Sequence, residues 1–199
     1  MRTLLILLVA FASCPAFSQA YVASIRAFQE ELNAEYRDPD ESPLPAKQRK
    51  AFEGLPFFDI DSSYHVVASF TRNEAPVTFQ MQTTSAAVKD YDIYGTVTFT
   101  LKGTSYTLNI YQSHTLRETD EYRDYLFLPF TDKTNGDTTY GGGRYIDLRI
   151  PSGDTIDIDF NKAYNPYCAY ATGYSCPIPP RENDMPVKIE AGVKYESSH

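Results

Sequence analysis

Alternation of apolar and polar residues between Thr96 and Tyr111 (TVTFTLKGTSYTLNIY) restricts this fold more than any other feature. Val97, Phe99 and Leu101 point one way and Thr96, Thr98 and Thr100 the other, a period of two that a strand satisfies and a helix does not. Lys102-Gly103-Thr104 supplies a turn, after which Tyr106, Leu108 and Ile110 resume the apolar face. The segment predicts a β-hairpin with one wet face. The same period marks Val66, Ala68 and Phe70 against Val67, Ser69 and Thr71, and Val77, Phe79 and Met81 against Thr78, Gln80 and Gln82. A second hairpin is expected over 145–160: Ile146, Leu148 and Ile150 oppose Tyr145, Asp147 and Arg149, then Pro151-Ser152-Gly153-Asp154 turns the chain into Ile156, Ile158 and Phe160, which alternate with Asp157 and Asp159. A last short strand is expected at Val187 to Glu190. The 16 Tyr and 12 Phe, with no Trp, suit pleated, half-buried surfaces.

Upstream the period lengthens. Tyr21, Ile25, Phe28, Leu32 and Tyr36 form one stripe of an amphipathic helix over 21–37, which Asp38-Pro39 ends because the residue before proline is driven out of the α region. Residues 38–45 (DPDESPLP) form a Pro-rich linker. Residues 46–53 predict a short basic helix that Gly54 terminates. The expected architecture is mainly β, an antiparallel β-sandwich or small barrel with an N-terminal amphipathic helix packed against it. Its divisions are a signal peptide at 1–20, helix and linker at 21–45, and one β-rich domain at 46–199.

The first twenty residues read as an address. Met1-Arg2 is a short basic start, Thr3 to Phe11 (TLLILLVAF) an apolar run, and Ser18-Gln19-Ala20 carries the small residues that signal peptidase requires, so cleavage after Ala20 is expected. The product is exported, periplasmic or secreted. Phe11-Ala12-Ser13-Cys14 is a poor lipobox, so a lipid anchor at Cys14 is the lesser reading. The apolar run is too short to span a bilayer, and no later transmembrane segment is expected. A formal net charge of −8 without a basic stripe excludes a nucleic-acid binder.

Standard catalytic signatures are absent: no G-x-S-x-G, H-E-x-x-H, Walker A or strand-linked G-x-G-x-x-G. Of the histidines, His65 reads as a structural strand residue, His114 follows the first hairpin at the surface, and His199 is terminal. Asp132 to Asp137 (DKTNGD) fails the calcium-loop template, because Gly136 falls at the fifth position and glycine occupies the twelfth, so Asn135-Gly136 reads as a turn. No metal and no cofactor are expected.

Two stretches remain. Tyr140, Gly141, Gly142, Gly143 and Arg144 form either a tight loop entering a strand or a backbone approach to a ligand with Arg144 as its fixed cation. Arg144 could equally pair internally with Asp159 or Glu182. Asp159 and Asn161 share a strand face, and Tyr164 and Asn165 gather polar groups where it ends; such clusters either tie loops together or line a polar pocket. Cys168 and Cys176 pair most simply as a disulfide in an oxidising compartment, the rivals being a reactive thiol pair or half a metal site, although the spacing matches neither motif.

The runs TYGGGRYIDL (139–148), IDFNKAYNPYCAY (158–170) and CPIPPREN (176–183), with Ala191-Gly192 and the upstream FEGLPFFDID (52–61), resemble the bacterial family called domain of unknown function 1684, over roughly residues 45–192. Where that family commonly has NPPC, this chain has Asn165-Pro166-Tyr167-Cys168. The resemblance implies no known activity. Longer relatives carry a further N-terminal β domain where this chain has only a helix and linker. Relatives without export signals leave room for the cysteines to do more than staple a loop.

The functional expectation is binding of a small polar or anionic ligand by Tyr140, Gly141, Gly142, Gly143, Arg144, Asp159, Asn161, Tyr164, Asn165, Glu182 and Asn183. The alternatives are a carboxylate-dependent hydrolase of cell-envelope material, drawing on Asp147, Asp157, Asp159 and Glu182, and a purely structural envelope protein.

Overall fold

A computed structural model describes residues 14–195. Helix α1 (Cys14–Arg37) buries Ile25, Leu32 and Tyr36 and half-buries Tyr21 and Phe28. It stops where Asp38-Pro39 forbids a further turn. Within the linker Ser42 caps it, its hydroxyl donating to the Tyr36 carbonyl at 2.6 Å. Helix α2 (Ala46–Lys50) is shorter than the basic segment suggests. Residues 1–13, which hold most of the expected signal peptide, and His199 lie outside the described residues.

Eight strands follow: β1 (His65–Arg72), β2 (Thr78–Gln82), β3 (Val88–Leu101), β4 (Thr104–Ser113), β5 (Tyr125–Asp132), β6 (Arg144–Arg149), β7 (Thr155–Asp159) and β8 (Asp184–Met185). They form one curled sheet in the order β6-β5-β4-β3-β1-β7, with β2 added to β3 and β8 to β5. All pairings are antiparallel except the two-residue β5–β8 contact. The β3–β4 hairpin forms where the alternation places it. Lys102 (φ 49°) and Gly103 (φ 81°) both take the left-handed conformation, the two-residue turn whose twist matches the flanking strands.

The expected second hairpin does not form. β6 pairs with β5 and β7 with β1, so the segments either side of Pro151–Asp154 lie at opposite ends of the strand order. Periodicity registers both strands correctly but carries no information about which partner completes each ladder. The missing partner is β5 itself. Its Leu126-Phe127-Leu128-Pro129-Phe130 core is buried on both faces, so it shows no alternation, and proline argues further against a strand. No strand forms at Val187 to Glu190 either, because the Ile189 backbone is committed to Asp132 and Arg144.

One sheet face carries the main core: Ala68, Val97, Phe99, Leu108, Ile110, Leu126, Leu128, Phe130, Ile146, Ile156, Ile158 and Phe160. Each fully buried side chain of this size contributes roughly 1.5–3 kcal/mol of transfer free energy. The opposite face is not uniformly wet. Along β3 to β6 it carries Tyr91, Tyr111, Phe127 and Tyr145, which pack with Met81. A third cluster joins α1 to the C-terminal loops through Leu32, Tyr36, Leu44, Leu55 and Val193, and Tyr164 packs against both it and the tyrosine cluster. Cys168 and Cys176 are joined as a disulfide in the loop beside them. Among the described residues, no helix is long and apolar enough to cross a membrane.

Candidate functional site

Arg144 stands on the core face of β6 with Ile146 and Leu148, and none of it reaches solvent. Its Nη2 donates to Asp132 Oδ2 at 2.8 Å and to the Ile189 carbonyl at 2.8 Å, and Nη1 donates to the Ala191 carbonyl. The guanidinium lies 5.3 Å from the centre of the Phe130 ring. Asp132 Oδ1 accepts from the Thr134 amide (2.8 Å), the Thr134 hydroxyl (2.6 Å) and the Ile189 amide (3.2 Å). Burial pulls the guanidinium pKa down and Asp132 opposes it. The ion pair is thus held from within on both Nη atoms and both carboxylate oxygens, while Nε is buried without a partner among the described residues. The guanidinium is turned away from solvent, which corrects the expectation of a ligand-facing cation. Arg144 pairs with neither Asp159 nor Glu182.

The glycines before it serve the same internal purpose. Gly143 has φ 89°, and a Cβ there would lie 2.7 Å from both the Phe130 carbonyl and the Pro179 ring. At Gly142 a Cβ would meet the Tyr140 ring at 2.5 Å. The backbone approaches its own protein closely, and Tyr140 packs edge-on against Tyr195.

The polar strand end is likewise bonded mainly within the protein. Asn161 Nδ2 donates to Asp159 Oδ1 (2.9 Å), the Asp61 carbonyl (2.8 Å) and the Tyr21 hydroxyl (2.9 Å), while its Oδ1 accepts from the Asp61 amide (3.0 Å). Tyr21 donates to Asp159 Oδ2 at 3.0 Å, so this knot pins α1 to the end of β7. Asn165 donates to the Tyr170 hydroxyl (2.9 Å) and the Lys194 carbonyl (3.1 Å), while its Oδ1 is buried without a partner among the described residues. Asn183 is fully buried; it accepts from the Asn109 amide (2.8 Å) and donates to the carbonyls of Asn109 (2.9 Å) and Pro129 (2.7 Å). β4 and β5 share the single register pair Tyr111↔Phe127, and Asn183 supplies the rest of their seam. Glu182 is exposed beside it. The expected single pocket joining Arg144, Asp159 and Asn165 is therefore replaced by three separate, internally bonded knots.

The cavity lies on the other face of the sheet. It is a cleft of about 710 Å³, within the range of small-molecule sites. Its floor is Tyr91 from β3, Tyr125 and Phe127 from β5, and Tyr145 and Asp147 from β6. One wall is α1, through Phe28, Glu31, Leu32 and Glu35. The opposite wall is the C-terminal loop, through Tyr164, Pro166, Tyr167 and the Tyr174–Pro177 turn that the disulfide ties down. Lys89 sits among the lining residues as the single cation against Glu31, Glu35 and Asp147. Of the ligand-binding residues expected from sequence only Tyr164 lines this cleft, and of the expected carboxylates only Asp147 does.

Asp147 is the chemical centre of the cleft. Tyr125 and Tyr164 each donate their hydroxyl to the same oxygen, Oδ1, at 2.7 Å. Oδ2 accepts no hydrogen bond, and Asp147 forms no ion pair, among the described residues. This carboxyl is exposed to water through the cleft, although the atoms of the cleft walls crowd around it. Burial accordingly raises its pKa above the ordinary carboxylate range, against the two tyrosine hydrogen bonds and the distant pull of Arg149, whose guanidinium is already held by Asp124 at 2.7 Å. Burial and the Asp147 charge push the hydroxyls of Tyr125 and Tyr164 well above the usual phenol range, so both remain protonated donors. Tyr91 is raised to about 12 by burial. Tyr167 donates to Glu35, and Tyr145 to the Pro177 carbonyl, which fixes two further rings of the lining.

The chain matches the family described as Protein of unknown function (DUF1684) over residues 50–194. It belongs to the DUF1684 family. The solution NMR structure of an uncharacterized protein from Haloarcula marismortui is similar at 34% identity and a TM-score of 0.72, covering 92% of this chain and 99% of that one. No curated protein matches the chain. In this DUF1684 protein the family match supplies the sheet and the C-terminal loop of the cleft, whereas Phe28, Glu31, Leu32 and Glu35 lie before its first matched residue.

Most of the cleft escaped the sequence because its residues come from six separated segments. One signal was present: Tyr145 and Asp147, like Tyr125 and Phe127, stand two apart on the face opposite the core residues of their strands. Aromatic side chains on a supposedly wet face mark it as covered.

Proposed function

We propose that this DUF1684 protein acts outside the cytoplasm as a small-molecule-binding protein whose ligand occupies the tyrosine-lined cleft. The observation that carries the reading is Asp147, a carboxyl set between two donating tyrosines in an aromatic cleft with no cation of its own. A carboxyl in an aromatic cleft that no cation of the protein answers, with a pKa raised by its surroundings, is a candidate functional group. Three carboxyls against one ammonium in the lining favour a neutral or cationic ligand over the anionic one that Arg144 suggested.

Export rests on the Met1–Ala20 signal pattern, and the Cys168–Cys176 disulfide accords with an oxidising compartment. N-terminal sequencing of the protein recovered outside the cytoplasm is expected to begin at Tyr21; a chain beginning at Met1 rejects cleavage. For the cleft, a thermal-shift screen is expected to yield ligands that raise Tm through linkage, and Leu116→Trp, which enlarges a lining side chain into the cleft, is expected to abolish the shift. Hits indifferent to that substitution bind elsewhere and defeat the proposal.

A second reading, hydrolysis, draws on the same carboxyl. Two-carboxyl hydrolases hold one acid protonated and one ionised, and Asp147 shares its cleft with Glu31 and Glu35. Under that reading Asp147→Asn removes turnover of a cleft-bound substrate while leaving it bound; unchanged turnover excludes Asp147 as the acid.

A further inference from the structure

We infer that the cleft recognises an organic cation, an amine or quaternary ammonium on an apolar body, with Asp147 as counter-ion and the tyrosine rings as its cage. The inference rests on the binding reading above and adds the chemical class of the ligand.

Three observations converge. The lining is aromatic, and its rings meet at steep angles: Tyr145 and Tyr164 at 88° with centres 5.8 Å apart, Tyr167 and Tyr174 at 71° and 5.2 Å, Phe127 and Tyr145 at 68° and 4.7 Å. Rings set in this way form corners, and a cation in a corner meets the negative quadrupole of more than one ring. The carboxyls supply the second observation. Asp147 lies on the floor and Glu35 on the α1 wall, so a cation between them is flanked from two sides. The third is the bonding of Asp147. Both tyrosine hydroxyls converge on Oδ1 and leave Oδ2 of this cleft-lining carboxyl without a partner among the described residues, so an ammonium can bind it without displacing either.

The remaining polar groups exclude other classes. The hydroxyls of Tyr145 and Tyr167 are committed to Pro177 and Glu35, which leaves few free donors for a phosphate or carboxylate. Lys89 is the only cationic group in the lining, too little to hold an anion against three carboxyls.

The test uses isosteres of differing charge. Phenethylamine, phenethyl alcohol and phenylacetate present one ring and one polar end, and choline presents a quaternary ammonium. Binding to the purified protein is followed by NMR shifts of the cleft tyrosines and by titration calorimetry. Phenethylamine is expected to bind about tenfold or more tightly than the alcohol, with phenylacetate weakest. Asp147→Asn keeps an acceptor for both tyrosines and is expected to lower amine affinity to that of the alcohol, without altering the alcohol's own binding. Glu35→Gln is expected to reduce amine and choline affinity by a smaller factor. An alcohol that binds as tightly as the amine overturns the cation assignment and leaves the cleft reading standing. So does amine binding that neither variant weakens. If none of the four probes moves the cleft tyrosines at about 10 mM, both readings fall.

Discussion

Asp132 and Asp147 stand on two paired strands, β5 and β6, and the fold treats them in opposite ways. Asp132 points into the main core and is answered completely: Arg144 on one oxygen, and Thr134 and the Ile189 amide on the other. Asp147 points to the far face, where two tyrosine hydroxyls meet one oxygen and no cation meets either. The sealed pair organises the Gly-rich loop and the C-terminal segment through the carbonyls of Ile189 and Ala191. The open one organises nothing that a neutral amide could not. A buried carboxylate answered on both oxygens therefore marks architecture here, and a cleft carboxyl answered on one marks the place for a ligand.

The largest effect expected from this contrast is at Arg144. Arg144→Ala strands the Asp132 carboxylate in the core and is expected to destabilise by about 3–5 kcal/mol in urea denaturation. A loss below about 1 kcal/mol would mean that Asp132 finds water or a proton readily, and the contrast would collapse. Next is Asn183, whose amide closes the β4–β5 seam. Asn183→Ala leaves two buried carbonyls and one amide unanswered and is expected to lose about 2–3 kcal/mol while ligand affinity at the cleft is retained. Coupled loss of both would show that seam and cleft are not separable.

The smallest effect, and the most diagnostic, is at Asp147. Its folded pKa is raised, so the native state holds a proton that the unfolded chain releases. The stabilising protonated form is fully present below the unfolded value, near 4, and is lost as pH rises through the folded value. Asp147→Asn has no proton to lose at this position. Its Tm is expected to equal that of the wild-type chain in acid and to exceed it by a few degrees at about pH 7. A variant less stable than wild type at neutral pH would make Asp147 a structural residue like Asp132. Thermal unfolding followed by circular dichroism at both pH values decides between them.

The legible parts of the chain were those with local causes. The β3–β4 hairpin followed from alternation and a left-handed turn, and the helix over 21–37, the C-terminal part of α1, followed from spacing and a proline stop. The disulfide followed from two cysteines in a chain with a signal pattern. β5 was not legible, because burial on both faces erases alternation. That single omission propagated: without β5, β6 was assigned to β7, and the seam that Asn183 closes was invisible. The Gly-rich loop and Arg144 stand out in the sequence as unusual. Their unusual chemistry was turned inward, a distinction set by which side of β6 faces the core.

By itself, the sequence determined the positions of the alternating strands β1, β3, β4, β6 and β7, the N-terminal helix, and membership in a family, because each depends on neighbouring residues or on a contiguous motif. Tertiary structure alone decided that Arg144 would meet Asp132 and that Asp147 would meet Tyr125 and Tyr164. These pairings join segments brought together by strand order, and period-two alternation fixes the face on which a side chain stands without fixing what stands opposite it.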